Sequence, residues 1–336
     1  MKEGGAGATG TVFLKFKEAT MAREQKSFVA KLFSYRESAI FLALILLMAA
    51  VTIFAPNFMS GSNLYLVSRQ ISFVAIVAYG ELFVILTGGI DLSVGSIMGL
   101  SGVISALAMA SQLPIWLSVL LGLLTGIACG LLNGLLISYV RIAPFIVTLG
   151  MLSFARGIIL IITKGWPVTN IPKPFLAVGQ GDLLALPIPV WVMIVLGVAA
   201  HFVLSKTTFG RRTYAIGGNE QATFLSGINV KKIKVFLYMV SGAMAAVVGI
   251  ILVARFNSAQ ADTGSGWELD AIAAAVIGGT SLSGGSGSIL GVIIGAAIMG
   301  VIRNGLVLMR VSAYWQTAVI GVIIVLAAVL DRLKNK

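Results

Sequence analysis

Glu81 and Arg156 each stand deep inside a long apolar run, where an ionised side chain persists only by facing a partner, the interior or water. A Glu81–Arg156 pair would neutralise both, and that pairing is the structural expectation. Asp91 follows Gly88-Gly89 and precedes Leu92-Ser93. Glycines at such a place interrupt a helix, and Asp91 or Ser93 can cap the next one by accepting from its free N–H groups. Capping is the expected role of Asp91; direct contact with a passing solute is the alternative. Ser281 and Ser283 occupy the matching positions of a second glycine-rich stretch, so the geometry is expected to be shared and the charge is not.

A solute crossing this chain would meet mostly neutral groups: Thr87, Ser93, Asn133, Thr148 and Asn304, with the aromatic Phe145 nearby. Together with Asp91 these are the candidates for a translocation path. Neutral hydrogen-bonding side chains suit a polyhydroxy solute, whereas an ion-coupled carrier needs more buried carboxylates. Other chemistry is poorly supplied. There is no HExxH and no GxxxxGK[ST], so neither metalloprotease chemistry nor nucleotide hydrolysis can be assigned to the chain. The single Cys129 rules out an internal disulfide and reads as a packing residue, and the single His201 sits near the end of an apolar run. The chain is not expected to be an enzyme by itself, or to carry a cofactor or a metal.

The elements that hold these residues are membrane spans. Hydrophobic residues make up 58% of the 336 and charged residues only 11%, with a mean hydropathy of +1.01. A soluble domain carries about 25% charge, so the bilayer must be the solvent here. The spans read 38–56, 71–87, 93–112, 115–138, 142–163, 187–205, 235–254, 269–283, 286–303 and 314–330, the eighth short enough to be a half-helix. The net charge of +12 is concentrated beside these spans. Residues 1–37, 206–234 and the carboxyl end hold seven, six and three of the 24 Lys and Arg. That is the positive-inside pattern, which places all three in the cytoplasm and agrees with an even number of spans. It also removes the case for nucleic-acid binding. The fold class is therefore an all-α polytopic membrane protein of about ten transmembrane helices with both termini cytoplasmic. Residues 1–37 form a polar segment, and 38–333 the membrane domain.

Two internal echoes stand out. GGIDLSVGSIMG at 88–99 resembles GGTSLSGGSGSILG at 278–291, and GLLNGLLISYV at 130–140 resembles GVIRNGLVLMRV at 300–311. Their offsets differ, so any ancestral repeat has since gained or lost a span. Glycine also recurs at every fourth residue, at Gly122, Gly126, Gly130 and Gly134, and at Gly287, Gly291 and Gly295. In lipid, small residues that let backbones approach are what hold a bundle together. The outward-facing stretch 164–186, with Trp166, Pro167, Pro172 and Pro174, reads as a rigid irregular loop.

One polar, basic island interrupts the apolar chain, at 206–234: KTTFGRRTYAIGGNEQATFLSGINVKKIK. Its core, 217–230, can form one or two helical turns. This is the largest surface the chain offers to a soluble partner inside the cell, with Arg211, Arg212, Lys231, Lys232 and Lys234 as membrane-edge anchors.

GGIDLSVGS at 88–96, NGLLI at 133–137 and AIGGNEQATFLSGINV at 215–230 resemble the sugar-importing permeases of the ABC transporter superfamily. GGTSLSGGSGS at 278–288 and YWQTAVIGVIIVLAAVLD at 314–331 strengthen the match, which covers roughly 38–333 and is nearest to the ribose-type members. The resemblance implies a type II importer-like permease of the bacterial inner membrane, acting as a homodimer. Its partners would be ATP-binding subunits on the cytoplasmic face, which use the ATP and magnesium, and a periplasmic sugar-binding protein. It further implies that Gly218, Asn219, Glu220, Ala222, Ser226, Gly227 and Ile228 contact the ATPase. A branched-chain amino-acid permease of the same superfamily is the nearest rival, and an ion-coupled secondary carrier the rival from another class.

Overall fold

The computed structural model describes residues 36–334; the polar segment 1–37 lies outside them except for its last two residues. The chain is a bundle of helices: α1 (Arg36–Phe54), α2 (Gly61–Ile85), α3 (Val94–Ala110), α4 (Ile115–Leu135), α5 (Pro144–Thr163), α6 (Lys173–Gln180), α7 (Ile188–Lys206), α8 (Thr208–Gly218), α9 (Glu220–Leu225), α10 (Val230–Phe256), α11 (Trp267–Ile277), α12 (Ile289–Leu308) and α13 (Ala313–Lys334). Among the described residues seven helices are long and apolar enough to cross a membrane, and Val94–Ala110 and Ala313–Leu326 are shorter apolar helices.

The half-helix reading of 269–283 is the correct one. α11 has 11 residues, about 16 Å at the α-helical rise, roughly half the hydrocarbon thickness. It ends where Gly278 and Gly279 begin an irregular stretch that runs to Ser288. The second span is longer than 71–87. α2 starts at Gly61, where the Ser60 hydroxyl accepts from the amide of Asn63 at 3.4 Å. A hydropathy window stops at Asn63, Arg69 and Gln70, but the fold gives the first two partners. Asn63 exchanges two amide hydrogen bonds with Asn304, at 2.9 and 2.8 Å. Arg69 lies over the ring of Tyr65, donates to its hydroxyl and pairs with Asp182 at 3.8 Å.

The stretch 164–186 is also more regular than expected. Pro172 and Pro174 start α6, because proline's fixed φ and missing N–H suit a first turn. A two-residue hairpin follows, β1 (Asp182–Leu183) against β2 (Leu186–Pro187), and Val168 bridges to Ala259.

α10 is the central post, packed on α2, α3, α4 and α6. The glycine stripes make their contacts within this one chain. Gly126 meets Gly242 on α10 backbone to backbone, Gly130 meets Tyr238, and Gly134 meets Val235. Gly291 and Gly295 of α12 likewise meet Gly278 and Ala274 at the end of α11. The lipid-facing surface is supplied by exposed apolar side chains such as Leu46, Ile53, Trp116, Phe154, Ile161, Val195 and Phe202.

A side chain at Gly126 has no room, since its Cβ would collide with the Gly242 carbonyl and stand 2.6 Å from the Ala246 Cβ. Gly126→Leu is therefore expected to cost about 3 kcal/mol or more. Size-exclusion chromatography of the detergent-solubilised chain should show loss of the monodisperse peak, whereas Leu at Gly150, where nothing lies within 4 Å, should preserve it.

Candidate functional site

The polar island folds as two short helices. α8 is capped by the Thr207 hydroxyl, which accepts from Gly210 N at 3.2 Å. It stops at Asn219, whose extended backbone opens α9 and whose side chain accepts from Ala222 N at 2.9 Å. Ser226 closes α9 by donating to the Ala222 carbonyl at 2.9 Å. Gly227, at φ +80°, turns the chain toward Asn229, which caps α10 by accepting from Lys232 N at 3.1 Å. Lys234 on α10 ties the tip back through Glu220 at 2.6 Å.

Of the residues that the resemblance connects with an ATPase, Gly218, Asn219, Glu220, Ala222, Ser226 and Gly227 are exposed and Ile228 is half-buried. Phe224 and Leu225 protrude beside them, 63% and 76% exposed. Apolar side chains presented this way on a polar segment mark an interaction surface. Sequence reasoning did not single them out, although an FL pair inside a polar island was a readable signal.

The other face of α8 is buried against the bundle, and what it touches joins the two motif echoes. Gly217 lies against the Leu86 carbonyl at the end of α2 and against Gly285 in the 278–288 stretch. Gly285 N itself donates to Leu86 O at 3.0 Å, and Gly284 closes on Gly88. Tyr214, one turn before Gly217, donates its hydroxyl to the Gly287 carbonyl at 2.8 Å. Burial raises the pKa of that hydroxyl and keeps it a donor. The two glycine loops therefore meet at one junction, and α8 rests on both.

Behind the first loop lies a closed polar cluster. Asp91 accepts from Ser93 N at 3.0 Å and from Ser93 Oγ at 2.5 Å through one oxygen, and from Ser241 Oγ on α10 at 2.9 Å through the other. Ser93 Oγ in turn accepts from Asn133 Nδ2 at 2.9 Å, and Glu81 Oε1 accepts from Asp91 N at 3.0 Å. All five side chains are fully buried. Asp91 thus caps the turn leading into α3 and not the helix itself, whose Ser93 makes no side-chain cap. Ser281 does the same in the second loop, accepting from Ser283 N at 3.4 Å.

This arrangement overturns the Glu81–Arg156 pair. Glu81 is committed to the Asp91 amide, while Arg156 Nη1 donates to the carbonyls of Ala261 and Thr263 at 2.5 and 3.2 Å. Both residues face inward, as charged groups in an apolar span must, but toward different neighbours.

The path candidates fall into separate places. Asp91, Ser93 and Asn133 are brought together, and Thr148 approaches through the Ile90 carbonyl at 3.4 Å. Thr87 turns back on its own helix to the Val84 carbonyl at 3.0 Å. Phe145 is 57% exposed and lies outside the cluster. Asn304 is paired with Asn63, as above. Ser241 and Tyr214 were missed, and Gly217, expected at the start of the partner-contacting core, instead packs inward on these loops, since only the fold brings a serine on α10 or a glycine in the island against them.

Comparison with known proteins agrees with the motifs. Residues 63–328 match the family described as the branched-chain amino acid transport system / permease component. The chain is 46% identical over 297 residues to the ribose import permease protein of Bacillus subtilis (strain 168), covering 88% of this chain and 92% of that one. It is 39% identical over 290 residues to the L-arabinose transport system permease protein of Escherichia coli (strain K12), covering 86% and 88%. To the D-allose transport system permease protein of the same strain it is 36% identical over 316 residues, covering 94% and 97%. No solved structure matches. With four-fifths of its length inside the family's bounds and relatives aligned almost end to end, the chain belongs to this family of transport-system permease components.

Proposed function

We propose that the chain is the membrane-spanning permease of an ATP-driven bacterial importer that carries a monosaccharide, ribose or a related sugar, across the inner membrane. The observation that carries this is the set of relatives, each named for a sugar and each aligned across nearly the whole chain. The family's own description names branched-chain amino acids, the rival solute.

The energy source is a separate ATP-binding subunit seated on the exposed tip of α9. Gly218, Asn219, Glu220, Ala222, Ser226, Gly227 and Ile228 form its contact, extended by Phe224 and Leu225. What supports this is the shape of the island: a polar, capped tip outside, and a buried face resting on both glycine loops. A push on the tip has a rigid route into the bundle. The subunit works as a homodimer and receives its solute from a periplasmic binding protein.

The island and both termini are cytoplasmic, supported by the Lys and Arg count. The chain crosses the membrane ten times, one crossing being made by the 11-residue α11 and the irregular stretch that follows it; the even count agrees with cytoplasmic termini.

The complete transporter in proteoliposomes is expected to accumulate labelled D-ribose only with ATP and the ATP-binding subunit present. Ribose uptake that persists in ATP-depleted cells under a proton gradient would defeat the reading. Uptake of L-leucine with none of ribose would transfer it to the rival solute.

A further inference from the structure

One turn beyond the Asp91 cluster, α3, α5, the segment before α11 and the first turn of α11 line an open cavity of about 370 Å³. That is within the roughly 300–1,000 Å³ range of small-molecule sites. Its polar lining is mixed: Ser96, Arg156, Asp262, Ser265 and Glu268. Arg156 spends Nη1 on the carbonyls of Ala261 and Thr263, which fixes the guanidinium in place. Its Nη2 and Nε make no hydrogen bond among the described residues. Glu268 is held at the start of α11 with Oε2 over Gly95, where any side chain would collide with it.

Ser96 completes the polar lining beside the anchored Arg156 guanidinium and the Glu268 carboxylate. It lines the cavity, is 1% exposed, and its hydroxyl has no hydrogen-bond partner among the described residues. A buried hydroxyl without a partner is costly, and such groups are normally satisfied by solvent or ligand. Ser96 also lies one turn along α3 from Ser93, the member of the Asp91 cluster that binds Asn133. A solute held at Ser96 therefore bears on the same helix that the first glycine loop positions.

We propose that this cavity is a transient binding site within the permease for the transported solute, a neutral polyhydroxy molecule held between Arg156, Ser96 and Glu268. The chemistry follows from the donors and acceptors. A guanidinium donates to solute oxygens, a carboxylate accepts from solute hydroxyls, and a serine does either. A solute with several hydroxyls and no charge uses all three; an anion would meet Glu268 and Asp262, and a cation would meet Arg156. Ser96, Arg156 and Glu268 then set which hydroxyl pattern passes after the binding protein has released its load. The identity of the solute class rests on the sugar reading above.

The test uses the complete transporter in proteoliposomes, with saturating labelled D-ribose or 2-deoxy-D-ribose, and Ser96→Ala and Glu268→Gln variants. Ribose uptake is expected to fall about tenfold, the scale of one lost hydrogen bond to a charged or buried group. Deoxyribose uptake is expected to fall less, so the ratio between the two sugars narrows. Unchanged ribose uptake, or an equal fall for both sugars, would overturn the proposal. If Glu268→Gln fails to assemble, Ser96→Ala decides, because it removes a single oxygen. The unmodified complex separates the two readings. If it carries L-leucine and no ribose, the sugar reading fails; if it carries ribose and the ratio stays fixed, only the cavity proposal fails.

Discussion

Gly217→Ala is expected to abolish coupled uptake, whereas Gly150→Ala, the same methyl added to an open glycine of α5, is expected to leave it near the unmodified rate. A Cβ on Gly217 would collide with the Leu86 carbonyl and the Gly285 amide, both backbone atoms that no rotamer change can move. A Cβ on Gly150 meets nothing within 4 Å, and Gly150 belongs neither to the ATPase contact nor to the junction. To admit the methyl, α8 must lift from the junction or the Gly285–Leu86 hydrogen bond of 3.0 Å must open. Either costs about 3 kcal/mol, which in a coupled equilibrium is about a hundredfold. The tip of α9 faces away from the contact, so the partner ATPase is expected to co-purify with both variants. Uptake by proteoliposomes at fixed ATP reads the result. Equal rates for the two variants would show that the junction transmits nothing, and that the island couples by some route other than its buried face.

What the sequence disclosed follows from how local each feature is. The spans and the island were legible because composition alone separates lipid-facing from polar backbone, and the Asp91 turn because its hydrogen bond reaches only two residues on. The starts and ends that failed did so where polar residues belong to a helix, as Asn63 and Arg69 do in α2. The Glu81–Arg156 pair failed for a different reason. A helix periodicity says that both point inward, but not which of several inward neighbours each will meet. The same holds for the glycines: the stripe on α4 announced close packing, and only the fold names α10 as its partner. Ser96 and Glu268 share a cavity because α3 and the segment after α10 converge there, a juxtaposition of residues far apart in the chain that no short motif encodes.

Asp91 offers the second large effect, and it discriminates between capping and solute contact. Asp91→Ala removes an acceptor used by Ser93 N, Ser93 Oγ and Ser241 Oγ, inside a cluster with no exposed member. The two hydroxyls can rotate to other acceptors, but the amide of Ser93 cannot, and Asn133 loses a properly oriented partner. The expected destabilisation is about 3–4 kcal/mol, visible as loss of the monodisperse species at lower temperature. Asp91→Asn has nearly the same shape. Its Oδ1 can keep both bonds from Ser93 while Nδ2 donates to Ser241, so the expected cost is below about 1 kcal/mol. The second loop already works this way, since the neutral Ser281 accepts from Ser283 N. If the carboxylate serves only to hold the loop, Asp91→Asn will import at close to the unmodified rate. An asparagine variant that folds well and does not transport would reverse the assignment, because the only thing it lacks is the charge.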